Sequence, residues 1–213
     1  MSVSTAQQGP FQDEIFPLGK QKAQVIRHPV NVEGYRNIGG LAGSLEDGAR
    51  LIDSYALGSV SGNEYIGGLV GGLFSGESEV LRSYAAGEVS SIEATSDYIG
   101  GFIGYLGIQA VLEDNFFDTE ATNQAYGTGA SSGSDPDEHE NVTGLSTEEM
   151  QIQQTFVDAG WDFDDVWAIV EEETYPYLKW QPDPTSSSDP GSDSPSDTDS
   201  GSGGGCFIQS ISP

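Results

Sequence analysis

The sequence predicts an all-β fold, a parallel β-helix or β-solenoid closed by a small aromatic-rich C-terminal cap and followed by a disordered tail. Three observations predict it. A glycine-paired segment occurs three times, with 28 residues from Gly39 to Gly67 and 33 from Gly67 to Gly100. A short stretch rich in Val, Ile, Leu and Tyr follows each copy. Aromatic residues then crowd into one terminal piece, and Pro182 to Gly205 contains no large apolar residue.

The first copy reads Asn37-Ile-Gly-Gly-Leu-Ala-Gly43, followed by Leu51-Ile-Asp-Ser-Tyr55-Ala-Leu-Gly58-Ser-Val60-Ser-Gly62. The second reads Tyr65-Ile-Gly-Gly-Leu-Val-Gly71, then Val80-Leu-Arg-Ser-Tyr84-Ala-Ala-Gly87-Glu-Val89-Ser. The third reads Tyr98-Ile-Gly-Gly-Phe-Ile-Gly104, then Val111-Leu-Glu-Asp-Asn115-Phe-Phe-Asp118. The equivalent positions are therefore Ile38, Ile66 and Ile99, with Gly39, Gly40 and Gly43, Gly67, Gly68 and Gly71, and Gly100, Gly101 and Gly104. Gly34, after Val32, marks the end of an earlier, degraded copy, so residues 1–30 form an N-terminal segment or such a copy. A period of this size means one supersecondary unit per copy, burying its apolar face by stacking on its neighbours.

Each glycine in a helix interior costs about 1 kcal/mol against alanine, and every segment carries three, so helical solenoids are excluded. Strands bent by glycine remain, with glycine expected to supply positive φ at corners and to let backbones stack closely. A β-propeller is the rival, but its repeats are longer and about four blades are needed to close a ring. The solenoid is placed at residues 31–119, with variable insertions such as Ser91–Ser96 in loops between coils.

The segments Gly-Gly-Leu-Ala-Gly, Gly-Gly-Leu-Val-Gly and Gly-Gly-Phe-Ile-Gly, each with its following strand, resemble the GLUG repeat of bacterial and archaeal surface proteins. The chain from Asn115 to Trp180 resembles the terminal segment that often follows such repeats. It contains Asn115-Phe-Phe-Asp-Thr-Glu120, Gly144-Leu-Ser-Thr-Glu-Glu-Met150, Phe156-Val-Asp-Ala-Gly-Trp-Asp-Phe163 and Tyr175-Pro-Tyr-Leu-Lys-Trp180. The resemblance covers roughly Asn31 to Gln181 and implies a right-handed parallel β-helix or related stack at the cell surface, without catalytic activity. The acidic insertion Ser131–Asn141 departs from the family pattern, which has a shorter link there.

Residues 120–181 read as an acidic loop plus the cap. Ser146 followed by Glu149 is a helix-capping pattern. Trp161, Phe163, Val166, Trp167, Ile169, Tyr175, Tyr177, Leu178 and Trp180 are expected to cover the apolar end of the last coil. The functional alternative for these aromatics is a carbohydrate-binding surface; their density favours a core. Residues 182–213, rich in Ser, Asp and Gly, cannot bury enough surface to offset chain entropy and are expected to be a disordered spacer. Cys206, after a glycine run, invites an anchoring role by lipidation or processing, against the alternative of a free thiol.

Seven basic residues against 34 acidic ones give a formal charge of −27. Nucleic acid and anionic membranes require Lys/Arg clusters, which the sequence lacks. Charge of one sign destabilises the compact chain unless salt screens it, so the composition points to a high-salt setting. There is no long apolar run for a membrane span and no visible signal peptide, which together with the repeats suggests a fragment of an exported precursor.

His28 and His139 belong to no His-Glu-x-x-His pattern, and no Gly-x-Ser-x-Gly elbow or phosphate loop is present. No catalytic or cofactor-binding residue is assigned. Asp135, Asp137, Glu138 and Glu140 gather hard oxygen ligands, but match neither calcium-loop pattern, so calcium is a secondary reading to a solvated acidic loop. The expected function is a non-enzymatic structural or adhesion module of an extracellular or cell-surface protein. Its partners would be other domains of that protein and a surface glycan or protein receptor. A carbohydrate-binding module is the alternative, and a polysaccharide-acting enzyme stands third.

Overall fold

The structure, a computed structural model, describes residues 30–74, 77–92, 98–131 and 142–186. It is a parallel β-solenoid of about three turns. The first coil runs β2 (Arg36–Gly39), β3 (Ala42–Leu45), β4 (Arg50–Ile52), β5 (Tyr55–Ala56) and β6 (Val60–Gly62), preceded by β1 (Val32–Glu33). The second runs β7 (Glu64–Gly67), β8 (Val70–Leu73), β9 (Glu79–Leu81), β10 (Tyr84–Ala85) and β11 (Val89–Ser91). The third contains β12 (Ile99–Gly100), β13 (Ile103–Leu106), β14 (Val111–Glu113) and β15 (Asn115–Asp118).

Like strands of successive coils pair in parallel, giving the sheets β1–β6–β11, β2–β7–β12 and β4–β9–β14. Two further sheets extend into a fourth, partial coil. The strand β16 (Thr128–Ser131) joins β3–β8–β13, and β17 (Val142–Leu145) joins β5–β10–β15. The solenoid ladders thus continue beyond residue 119, into the stretch read from sequence as loop and cap. No Ile-Gly-Gly signature marks this coil. Gly129 lies against the Ile99 amide, and Gly127 leaves room for the Val142 and Phe117 side chains.

Ile38, Ile66 and Ile99 stand in one ladder, Ile38 opposite Ile66 and Ile99 opposite Ile66. They pack with Val60 and Val89 in a small core of their own. The main interior holds Leu69, Val70, Leu73, Val80, Phe102 and Ile103, together with Ala56, Ala85 and Phe117.

The repeat glycines explain how two sheets share so little space. A Cβ on Gly39 would stand 2.6 Å from the Gly71 nitrogen, and one on Gly71 2.5 Å from the Gly43 oxygen and the Ile38 nitrogen. On Gly104 it would collide with the Ile66 nitrogen of the neighbouring sheet. Backbone therefore packs directly on backbone between the β2–β7–β12 sheet and its neighbour β3–β8–β13–β16. The second glycine of each pair leaves room for an inward side chain, Gly40 for Ala56 (2.8 Å), Gly68 for Ala85 (2.9 Å) and Gly101 for Phe117.

Close approach, and not positive φ, is what these glycines supply. The left-handed corners belong to other residues: Asn37 and Tyr65 (both φ 55°), and Asp53 (51°), Arg82 (44°) and Asp114 (54°). Left-handed backbone costs a non-glycine residue about 1–2 kcal/mol. The second set is held by a buried polar ladder just beyond it. The Ser54 amide donates to Ser83 Oγ (3.2 Å), the Ser83 amide to Asn115 Oδ1 (3.0 Å), and Asn115 Nδ2 to the Val80 carbonyl (2.7 Å).

The terminal segment contains α1 (Thr119–Thr122), a 3-10 turn at Glu149–Gln151, α2 (Gln153–Asp158) and the antiparallel pair β18 (Trp167–Ala168) and β19 (Tyr177–Leu178). Ser146 and Glu149 form the capping box read from sequence. The Ser146 amide donates to Glu149 Oε2 (2.9 Å) and the Glu149 amide to Ser146 Oγ (3.3 Å). The Ser146 amide, and then the Ser146 hydroxyl, which also donates to Glu149 Oε2 (2.9 Å), hold the Glu149 carboxyl below its ordinary range. The box opens the 3-10 turn, with α2 following one residue later.

Candidate functional site

The terminal segment lies along the flank of the solenoid and not across its end. Inward Ala56, Ala85 and Phe117 alternate with outward Tyr55, Tyr84 and Phe116, one from each coil, since successive side chains of a strand point to opposite faces. This outward column is apolar and needs a cover. Met150, Phe156, Trp161, Trp167 and Leu178 supply it in one buried cluster. Tyr55 and Tyr84 stack at 5.1 Å, and Phe116 meets Phe156 edge-on at 5.1 Å. Of the aromatics proposed from sequence for this region, Trp161 and Trp167 are buried, whereas Trp180 is 60% exposed.

Hydrogen bonds fix the clasp to all three coils. Tyr55 Oη donates to Gln181 Oε1 (2.7 Å), Tyr84 Oη to the Pro176 carbonyl (2.7 Å), and Trp161 Nε1 to the Asp114 carbonyl (2.9 Å). Asp118 is the buried hub. Its Oδ1 accepts the Glu120 and Ala121 amides at 2.9 and 2.8 Å, capping α1, and its Oδ2 accepts the hydroxyls of Thr147 and Tyr175, both at 2.7 Å. Burial first, then Tyr55 and Tyr175, push the Tyr84 phenol well above its usual range. Burial and then the Asp118 hydrogen bond raise Tyr175 likewise. Both phenols are thus neutral donors at physiological pH. Their chemistry is attachment.

A second aromatic cluster lies outside all three buried clusters. Tyr65 meets Tyr98 at 4.8 Å, Tyr105 at 5.2 Å and Phe74 at 5.5 Å, and Phe74 stacks on Tyr105 at 5.3 Å. Tyr98 is 36% exposed and the other three are half-buried. The Arg36 guanidinium sits 4.9 Å above the Tyr65 ring, with its Nε 3.4 Å from Glu64 Oε2. Sequence reasoning missed this cluster, although Tyr65 and Tyr98 occupy the same repeat position. Phe74 and Tyr105 fall outside the shared pattern and join only through the register, where Gly72, lacking a side chain, opposes Tyr105 and leaves room for the Phe74 ring.

The three described arginines pair between coils. Arg36 pairs with Glu64, Arg50 with Glu79 (2.6 Å) and Arg82 with Asp53 (2.9 Å). Lys179 Nζ donates to the Asp164 carbonyl at 2.6 Å. The cation candidates Asp135, Asp137, Glu138 and Glu140 lie outside the described residues, as do His28, His139, Cys206 and residues 187–213. Among the described residues no group of three or more His, Cys, Asp or Glu is placed to hold a metal ion. No described helix is long and apolar enough to cross a membrane.

The fold and its two aromatic surfaces define a glycine-packed β-solenoid with a lateral aromatic clasp. No family model matches the chain, and no solved structure matches it. It is similar, at 37% identity over 131 residues, to a protein of Evansella cellulosilytica whose name describes it as a Gly-rich membrane protein. The match takes in 59% of this chain and 13% of that relative, so the chain corresponds to a small part of its length.

Proposed function

We propose that this chain is a non-enzymatic structural module of an extracellular or cell-surface protein, of the GLUG-repeat kind, which extends or presents other parts of that protein and contributes to adhesion in a salt-rich setting. One observation carries the reading. The repeat positions, the three described arginines and the buried terminal aromatics serve to hold coil on coil or clasp on coil. A relative far longer than this chain, and named a membrane protein, agrees with a part that belongs to a larger surface assembly. The alternative use of the terminal aromatics as a sugar-binding surface leaves only Trp180 well exposed among the large rings, because Trp161 and Trp167 are committed to the clasp.

An antibody raised against the folded chain tests the placement on cells producing the full-length parent. Labelling of intact cells is expected. Labelling that appears only after permeabilisation would refute it. Release of reducing ends from any of a panel of bacterial and plant polysaccharides would overturn the non-enzymatic part.

A further inference from the structure

We infer that the exterior cluster of Tyr65, Phe74, Tyr98 and Tyr105 is a docking surface for a cationic, arginine-bearing polypeptide segment. The inference goes beyond the structural role proposed above.

The solenoid does not need these rings on its surface for coil stacking, since its ladders and interior are complete beneath them. Neither the terminal clasp nor any other described element packs over them; the clasp covers the opposite type of position, the outward column of the β5–β10–β15–β17 sheet. The molecule itself shows what this face accepts. One guanidinium, that of Arg36, already rests 4.9 Å above the Tyr65 ring and is held from the side by the Glu64 carboxylate. Tyr98 and Tyr105 continue the same ring surface away from Arg36. The negative face of an aromatic ring attracts guanidinium groups, and arginine is weakly enough hydrated to leave water for it.

Charge selects among occupants. The chain carries −27, and Glu46 stands one coil from Phe74, following Leu45, the register partner of Leu73. A second copy would bring another −27 against the first, whereas a basic segment meets carboxylates beside the rings. A neutral glycan could stack on the rings but would use none of this charge.

The test is a titration of the isotopically labelled full chain with an octa-arginine peptide in 1 M sodium chloride, where the Debye length is about 3 Å and bulk attraction to an acidic chain is largely screened. Resonances of Tyr65, Phe74, Tyr98 and Tyr105 should move first. The Tyr98→Ala/Tyr105→Ala variant should bind about fivefold more weakly, the loss of two exposed cation–ring contacts. Tyr98→Phe/Tyr105→Phe should keep binding within about twofold, since phenylalanine retains the ring face. The clasp variant Glu171→Gln/Glu172→Gln/Glu173→Gln should leave it unchanged. Should the alanine pair fail to fold, the map on the unaltered chain decides alone. Shifts spread over the acidic clasp with the cluster unmoved would overturn the inference, as would equal weakening by the clasp variant. So would a response of the cluster to cellohexaose or chitohexaose but not to octa-arginine.

Discussion

Replacing Gly71 by alanine adds a single methyl group at the point where two sheets touch through their backbones. The added Cβ would stand 2.5 Å from both the Gly43 oxygen and the Ile38 nitrogen. Relief to the 3.4 Å of ordinary contact requires a shift of about 0.9 Å (3.4 − 2.5). Neither neighbour is a side chain that can swing aside. Both are main-chain atoms of β2 and β3, pinned by ladder hydrogen bonds to the next coil. Overpacking costs about 1–3 kcal/mol where side chains can adjust, so the cost here lies at or above the top of that range. Alanine recovers about 0.4–1 kcal/mol by restricting the unfolded chain. The net loss is at least about 2 kcal/mol, or roughly 1 M in urea midpoint at a slope near 2 kcal/mol/M. Far-UV circular dichroism should be the readout for the solenoid, because Trp161, Trp167 and Trp180 all lie in the terminal segment and fluorescence reports there. Gly160→Ala is the control. Its Cβ meets nothing within 4 Å but its φ is +77°, so only the left-handed penalty of about 1–2 kcal/mol applies. A Gly71→Ala midpoint equal to that of the unaltered chain, or a larger loss at Gly160, would refute the backbone-packing argument.

Four further outcomes are expected. Trp167→Ala, at a fully buried position, should cost about 3–5 kcal/mol of clasp docking, read by the remaining tryptophan fluorescence in urea. The raised phenols of Tyr84 and Tyr175 contribute stability that is complete below about pH 10, the unfolded value, and is lost as pH rises above it. Alkaline melts followed at 295 nm should therefore steepen above that pH and flatten in Tyr84→Phe/Tyr175→Phe. Ending the chain after Ser186 should leave the urea midpoint unchanged, whereas ending it after Trp180 removes the Gln181 acceptor of Tyr55 and should cost about 1–3 kcal/mol. Raising sodium chloride from 0.1 to 1 M shortens the Debye length from about 10 to 3 Å, so the melting temperature should climb markedly, and a flat response would remove the repulsion argument.

The coil architecture was legible because spacing alone aligns the glycine pairs, and alignment fixes the register. Ile38, Ile66 and Ile99 share a ladder for that reason. Direction of packing was not legible. Alternation predicts that Tyr55 and Ala56 point oppositely, but the sequence does not say which faces in; that is settled only by the packing, where a Cβ added to Gly40 would fall 2.8 Å from the Ala56 methyl. With Tyr55, Tyr84 and Phe116 turned outward, the terminal aromatics belong on the flank, and reasoning from an exposed coil end sent them to the wrong place. The exterior cluster was half legible, through Tyr65 and Tyr98. The other half depends on Gly72 leaving room for a ring that belongs to no repeat position.

Charge and burial divide the labour between the two parts of the molecule. In the solenoid, Arg36, Arg50 and Arg82 each reach an acid on the adjacent coil, so part of the acidic excess is offset where strands stack. Such exposed pairs contribute about 0–1 kcal/mol each, which trims repulsion without driving the fold. Between Ser146 and Gln181 nine acidic residues accompany only Lys179, and Lys179 is turned to a carbonyl of its own segment. No cation of the solenoid is paired with a clasp carboxylate among the described ion pairs. Docking of the clasp therefore sets apolar burial by Phe156, Trp161 and Trp167 against like-charge repulsion with little local relief. Screening by salt should favour clasp docking more than coil stacking. At low ionic strength tryptophan fluorescence should then report loss of the clasp at a lower temperature than circular dichroism reports loss of the strands, and the two transitions should merge as salt is added.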